Sequence, residues 1–261
     1  MIRLREIARG LRERRPAGET ALPELSASLV ARPRVFRAPP FTEELVAAIR
    51  LISPHLPLAC DESSRLAWET AQNANCWGEI DALAPILAAR PRPARVLEIG
   101  PGLGRSAVFL TRQLGWHDVP FDLLEADGSE THYTRLGARL EHSFCGSIRS
   151  LEDVLAYNDI TNCRVIDARS PGGRLAELPD RYDLIYSFYA VGFHWSLEHF
   201  LDDILARMHD DSLAIFIVAD GFEPFPALAR FEHRLVEYAR AYPAGTTGRM
   251  LLLGKRNGSR A

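Results

Sequence analysis

The chain has 261 residues, 47% of them hydrophobic, and a formal net charge of -3. This is enough to bury the core of one α/β domain with an appendage, and too near neutrality for a general polyanion-binding surface. No apolar run approaches the ~20 residues that span a bilayer, no signal peptide is visible, and Cys60, Cys76, Cys145 and Cys163 lack metal-ligand spacing, so a cytoplasmic protein without stable membrane insertion or a bound metal is expected.

In chain order, residues 1–15 place Arg3, Arg5, Arg9, Arg12, Arg14 and Arg15 around Ile2, Leu4, Ile7 and Leu11. Glu6 and Glu13 stand at arginine-pairing distances, which favours a solvated face or a homodimer contact over a membrane-surface helix. Prolines then break the chain up to about residue 60, around one helix expected over 42–52 with Thr42 as its cap and Glu43 and Glu44 in its first turn. Further helices are expected over 61–74 and 79–90, separated by Asn73-Ala-Asn-Cys-Trp-Gly78. Residues 1–76 therefore read as a helical N-terminal extension and 77–261 as the main domain. Asn73, Asn75, Cys76 and Trp77 are candidates either for a lid over a bound cofactor, with Trp77 in contact, or for plain packing.

From Arg95 the pattern changes to strand-helix alternation, the mark of a doubly wound, mostly parallel α/β sheet. Strands are expected over 95–99, 121–126, 162–168, 182–188, 212–219 and 248–254. Helices are expected over 104–115, 130–142, 195–208 and 226–242, with an irregular or helical stretch reaching 158. The first strand carries Glu98 and runs into Gly100, Gly102 and Gly104, a strand-turn-helix signature in which glycine permits positive φ and close approach of a ligand to the main chain. In such a sheet the ligand lies across the carboxyl ends of the strands. Glu125 ends the second strand, where a carboxylate can accept both hydroxyls of a ribose. Asp167 ends the third, where one can accept an adenine amine.

V-L-E-I-G-P-G-L-G, L-L-E-A-D, V-I-D-A and Y-D-L-I-Y-S, in this order, resemble the class I S-adenosylmethionine-dependent methyltransferases. The resemblance spans about residues 77–220 and implies a Rossmann-like sheet of order 3-2-1-4-5-7-6 with S-adenosyl-L-methionine as cofactor. It implies that Glu98 orders the loop and the methionine amino group, and that Gly100, Gly102 and Gly104 wrap the cofactor. Glu125 would bind the ribose, Ala126 would touch adenine, Asp167 and Ala168 would hold the adenine edge, and Ser187 would lie under the cofactor. Only one clear final strand is readable where the family has two. A nicotinamide-dependent oxidoreductase would need glycine at the position of Arg105, and it would place its loop nearer the N-terminus.

The acceptor is read from F-Y-A-V-G-F-H-W-S-L-E-H-F, residues 188–200, which follows the fourth strand. His194 is the leading candidate for a general base, with His199 behind it. Asp220, at the end of the fifth strand, is a candidate to orient or deprotonate the acceptor, or else to cap the helix expected after it. The segment is similar to sugar O-methyltransferases of bacterial glycan pathways, and a small hydroxyl-bearing substrate fits its aromatics and histidine. N- or C-methylation of another metabolite and a non-catalytic cofactor-binding subunit are the alternatives. Nucleic acid is disfavoured as a partner, because S-F-Y-A stands where a base-flipping enzyme would carry an N-P-P-Y type loop.

Overall fold

The computed structural model describes residues 25–52, 56–128, 146–178, 181–192, 195–241 and 245–256. The basic segment at 1–15, the helix expected over 130–142, Cys145 and His194 lie outside the described residues. Seven strands form one sheet: β1 (Val96–Ile99), β2 (Phe121–Glu125), β3 (Cys163–Asp167), β4 (Tyr182–Ser187), β5 (Met208–Val218), β6 (Phe231–Ala239) and β7 (Thr247–Lys255). Their order is β3-β2-β1-β4-β5-β7-β6, as the family resemblance implies. The first five run parallel, and β7 is antiparallel to both β5 and β6.

The central strands are short apolar runs because both of their faces are covered. All four residues of β1 and all five of β2 are buried. Alternate residues feed two cores, as the period of two requires. Val96 and Leu123 join Leu83 and Phe109 on one face, while Leu97, Ile99 and Leu124 join Trp195, Leu201 and Ile204 on the other. The covering helices are α1 (Ala27–Val30), α2 (Glu43–Ile52), α3 (Glu62–Ala88), α4 (Arg105–Gln113), α5 (Ile148–Tyr157) and α6 (Leu201–Ala206). Thr42 caps α2 as expected, its hydroxyl accepting from Leu45 N–H at 3.1 Å. Among the described residues no helix is long and apolar enough to cross a membrane, and no group of side chains could hold a metal ion.

Three elements differ from expectation. The helices expected over 61–74 and 79–90 are one continuous helix, α3, so the 76/77 division falls inside it. Asn73 and Gly78 do not break it, because each has a packing role. The Asn73 side chain accepts from Val35 and Phe36 N–H at 2.7 and 3.0 Å and donates to Phe36 O at 2.8 Å. Gly78 is the point at which α3 touches β6, since a Cβ there would stand 2.0 Å from Ala239 O.

The long helix expected over 226–242 is a 3₁₀ turn, Pro226–Arg230, followed by strand β6. The helix-forming residues of Phe231–Ala239 yield to pairing with β7 along the whole strand. β6 is also the second terminal strand that the sequence had left in doubt. The helix expected over 195–208 is a 3₁₀ turn, Leu197–Phe200, leading into α6 and the start of β5.

Residues 33–38 form an extended strap across one helical layer. Asn73 holds it from α3, and Asn158, just past α5, holds it from the other side. Asn158 accepts from Arg37 N–H at 2.9 Å and donates to Arg37 O at 2.8 Å. Glu69 adds a bond from Ala38 N–H at 2.8 Å.

Candidate active site

The site is built at the carboxyl edge of β1, β2 and β4. The loop after β1 turns on Gly100, Gly102 and Gly104, with φ of 68°, 60° and 72°. At Gly100 two causes require glycine: the left-handed backbone, and the Ala190 methyl, which would stand 2.5 Å from an added Cβ. The turn after β4 is thereby pressed onto the loop after β1. Ser187 fastens the same junction. Its hydroxyl donates to Ile99 O at 2.7 Å and accepts from Val191 N–H at 2.9 Å.

Glu125 reaches from the end of β2 into the loop. One carboxylate oxygen accepts from Gly102 N–H at 2.9 Å and the other from Ala126 N–H at 3.0 Å. Gly146 closes over it, since a Cβ there would stand 2.5 Å from the carboxyl carbon. Burial pushes the Glu125 pKa up to about 8, against the lowering effect of those two N–H bonds. Glu98 is also buried, with Tyr186 OH donating to one oxygen at 2.7 Å and Ser106 Oγ donating to the other. Burial pushes its pKa up to about 7. Two neighbouring carboxyls of raised pKa, with no cation among the described residues hydrogen-bonded to either, are unusual for a purely structural arrangement.

Asp167 stands beside Glu125 in register at the ends of β3 and β2. Its carboxylate accepts from Arg169 N–H at 2.9 Å, and Ala168 N–H donates to Glu125 O at 2.8 Å. Ala126 and Ala168 are buried beside these acids. The structure thus brings Glu98, the three glycines, Glu125, Ala126, Asp167, Ala168 and Ser187 to one edge of the sheet.

It uses Trp77 and Asp220 differently. The Trp77 indole N–H donates to Pro33 O at 2.8 Å, and its ring meets Phe109 of α4 edge-on at 5.5 Å. These are packing contacts, and of the four candidates Asn73 and Trp77 both bond the strap while Cys76 meets Arg105. Asp220 is 80% exposed and paired with both terminal nitrogens of Arg240 at 2.5 and 3.0 Å, which holds its carboxyl below the ordinary value. It caps no long helix, because none follows it.

The sequence reading passed over a cluster beside the loop. Arg105, the first residue of α4, donates to Glu79 Oε1 at 2.8 Å and to Cys76 Sγ at 3.1 Å, with its guanidinium 5.5 Å from the Tyr189 ring centre. Tyr189 has φ of 67°, a left-handed backbone that is uncommon for an aromatic residue, and its hydroxyl lies 3.0 Å from that of Tyr238. The available signal was the placement of Arg105 directly after the third glycine and of Glu79 within an otherwise apolar turn.

These residues fit an adenosyl cofactor. A buried acid, Glu125, stands at the end of β2 and a half-buried one, Asp167, at the end of β3, and the Gly102 N–H of the loop turns toward Glu125. A nucleoside with an amino-acid tail has hydroxyl, amine and ammonium donors for such acceptors.

MtNAS, solved in complex with MTA and tNA, superposes with a TM-score of 0.50 at 14% identity, covering 82% of this chain and 70% of that one. Magnesium protoporphyrin IX methyltransferase (ChlM) from Synechocystis PCC 6803, with bound SAM, gives 0.44 at 18% identity over 72% and 83%. Precorrin-6y C5,15-methyltransferase from Geobacter metallireducens GS-15 gives 0.40 at 13% over 62% and 80%. At these identities the likeness concerns the fold. No curated protein sequence matches. A family model described as a methyltransferase domain matches residues 67–244, well over half of the chain. The chain belongs to that family and is an S-adenosylmethionine-dependent methyltransferase.

Proposed function

We propose that this methyltransferase acts in the cytoplasm on a small molecule, and that it methylates an oxygen of a sugar or glycoside rather than a nucleic acid. The observation that carries the cofactor assignment is the bond from Gly102 N–H to Glu125, which puts a buried acid against the glycine loop. In this reading Glu125 takes the ribose hydroxyls, Asp167 and Ala168 take the adenine edge beside Ala126, and Glu98 holds the loop in shape. Ser187 fixes the floor between β1 and β4. The cofactor, when bound, supplies an electrophilic methyl group, and the protein supplies orientation and a dry environment.

The acceptor reading rests on Phe188, Tyr189 and Trp195 at the turn after β4, pressed against Gly100 through Ala190. Aromatic faces, with a histidine preceding Trp195 in the sequence, suit a hydroxyl-bearing ring. His194 is assigned as the base that takes the hydroxyl proton. Asp220, already paired with Arg240, is assigned to orienting the acceptor, since a lowered pKa makes it a weak base. A homodimer is part of the proposal only through the basic residues near the start of the sequence.

Calorimetry with S-adenosylmethionine and S-adenosylhomocysteine should show binding that falls sharply in Glu125→Ala. Tight NAD binding with no affinity for either sulfur ligand would overturn the assignment. A panel of glycosides incubated with the protein and S-adenosylmethionine, read by mass spectrometry, should yield a product 14 mass units heavier, the mass of the CH₂ gained in methylation (about 14). With that acceptor, His194→Ala should keep cofactor affinity and lose ~10²- to 10⁴-fold in turnover. Unchanged turnover would remove His194 as the base.

A further inference from the structure

The sheet ends on β6, and its two halves are covered differently. Arg240 N–H donates to Thr246 O at 3.0 Å, and β6 keeps one register with β7 from Phe231 to Ala239. Bonding alternates along an antiparallel ladder, so the even-numbered residues of β6 face β7 and the odd-numbered ones turn their N–H and C=O groups away from it. At and just past the end of the strand the chain itself covers two such carbonyls. Gly78 of α3 lies against Ala239 O, and Ser26 N–H donates to Ala241 O at 3.0 Å. Toward its start, Phe231, His233 and Leu235 carry outward groups, and among the described residues β7 is the one strand that pairs with β6.

An edge of this kind is a template for another strand, and proteins that leave one unpaired blunt it with proline, lysine, a bulge or brevity. β6 has nine residues, no proline, no lysine and no shift in register. Glu232, His233, Arg234 and Leu235 are exposed in succession. Among the described residues the side chains of Glu232, His233 and Arg234 have no hydrogen-bond or ion-pair partner. Leu235, 38% exposed, is one of three large apolar side chains that stay exposed among the described residues.

The strand fits a second copy of itself. A new ladder forms only through outward groups, so a two-fold axis must set an outward residue opposite its own copy. Centring on Glu237 opposes two carboxylates, and centring on Phe231 runs the pair into the 3₁₀ turn before β6. Centring on Leu235 sets Arg234 against Val236 and Glu232 against Tyr238. Centring on His233 sets Glu232 of each copy opposite Arg234 of the other, and Leu235 opposite Phe231. We propose that β6 pairs antiparallel with β6 of a second copy, with His233 on the two-fold axis, joining two seven-stranded sheets into one. The outward groups of Phe231, His233 and Leu235 are then all bonded. Opposite charges meet at the two non-hydrogen-bonded positions, where side chains come closest. The imidazoles meet on the axis, each with a donor and an acceptor nitrogen to offer. The pairing stops short of Ala239, where α3 already occupies the edge. This interface is separate from the cofactor assignment and from the basic residues at the start of the sequence.

Sedimentation of the full chain over a concentration series is the test. The wild type should form a dimer. Glu232→Arg and Arg234→Glu each turn both symmetric ion pairs into like charges, and each should weaken the dimer by ~10- to 100-fold. The double variant E232R/R234E restores opposite charges across the axis and should return to within about 3-fold of wild type. His233→Pro removes the central donor at a position where an edge strand accepts proline, and should leave monomers. Circular dichroism should be unchanged in every variant, because the substituted side chains are exposed. If His233→Pro does not fold, the charge variants carry the test. A monomeric wild type, a dimer indifferent to the single charge changes, or single losses that the double variant does not repair overturns the proposal.

Discussion

The two ends of β2 each bury a carboxylate, and they treat it in opposite ways. Near the start of the strand, Asp122 is 2% exposed and enclosed by donors: Arg164 at 2.7 and 2.9 Å, Arg95 at 2.9 Å and Tyr182 OH at 2.9 Å. At its finish, Glu125 is equally buried but among the described residues is met by two main-chain N–H groups alone, and Glu98 one strand away by hydroxyls alone. Asp122 is a closed structural knot joining β1, β2, β3 and β4. Glu125 and Glu98 are acceptors with no cation among the described residues bonded to them, at the edge proposed to take the cofactor. The same chemical group is a fastener at one end and, in the proposed reading, a binding element at the other, and the presence of guanidinium partners marks the difference.

The largest expected effect strikes the binding end. Gly100→Val places a side chain against Ala190 and forces a β-branched residue to a φ of 68°. Left-handed backbone and overpacking together should cost about 3 kcal/mol, and cofactor binding should be lost with it. Denaturant unfolding and calorimetry check this, and retained binding would show that the loop tolerates a shift.

Next comes the structural end. Asp122→Ala removes the acceptor that the Tyr182 hydroxyl and two arginines share, for a loss of about 2 kcal/mol, moderated because Arg164 is more than half exposed. Cofactor affinity should stay within about 2-fold under conditions where the variant is folded, since no ligand contact is removed. A large loss of affinity would erase the contrast between the two ends.

The third expectation is a pH dependence. Folding raises Glu98 to about 7 and Glu125 to about 8 from an ordinary 4.5. The folded state therefore holds more protons than the unfolded one between pH 4.5 and 8, and stability falls as pH rises through that window. The slope is at most about 1.4 kcal/mol per pH unit for each group. Thermal unfolding from pH 5 to 8 should follow this decline, and Glu125→Gln should flatten part of it. A rising profile would mean that the carboxyls are ionised in the fold.

The smallest effect belongs to Asp220→Asn. Its partner Arg240 is 15% exposed but Asp220 itself is 80% exposed, so the pair is worth at most about 1 kcal/mol. What it contributes is present at neutral pH and is lost as pH falls through the lowered pKa of Asp220. Unfolding curves should differ between wild type and variant most at pH 7, and the difference should shrink as pH falls through the lowered pKa of Asp220.

The binding end was more legible in the sequence than its surroundings. Gly100, Gly102, Gly104, Glu125 and Asp167 announce themselves because their positions relative to strand ends follow from chain order alone. The parallel strands read as apolar runs for the same reason. β6 did not, because Phe231 to Ala239 is rich in Glu, Arg, Leu and Ala, which favour helix, and the partner that overrules them, β7, lies beyond it in the chain. The break expected near Asn73 failed for a related cause. Asn73 is a poor helix former, yet its amide satisfies a strap nearly forty residues earlier, a contact invisible to local propensity. The Glu79–Arg105 pair likewise joins residues 26 apart, and no single-segment pattern marks it.

The strap at 33–38 also bears on how the chain is made. Its bond to Asn158 spans 121 residues. A ribosome adding 5–20 residues per second leaves the strap waiting for roughly ten seconds after it emerges, before its second clamp exists. During that interval the apolar side chains of Val35 and Phe36, fully enclosed in the finished protein, face solvent or a chaperone. The strap is thus made well before it can be secured, and the loop after β1 is synthesised between its two clamps, Asn73 and Asn158.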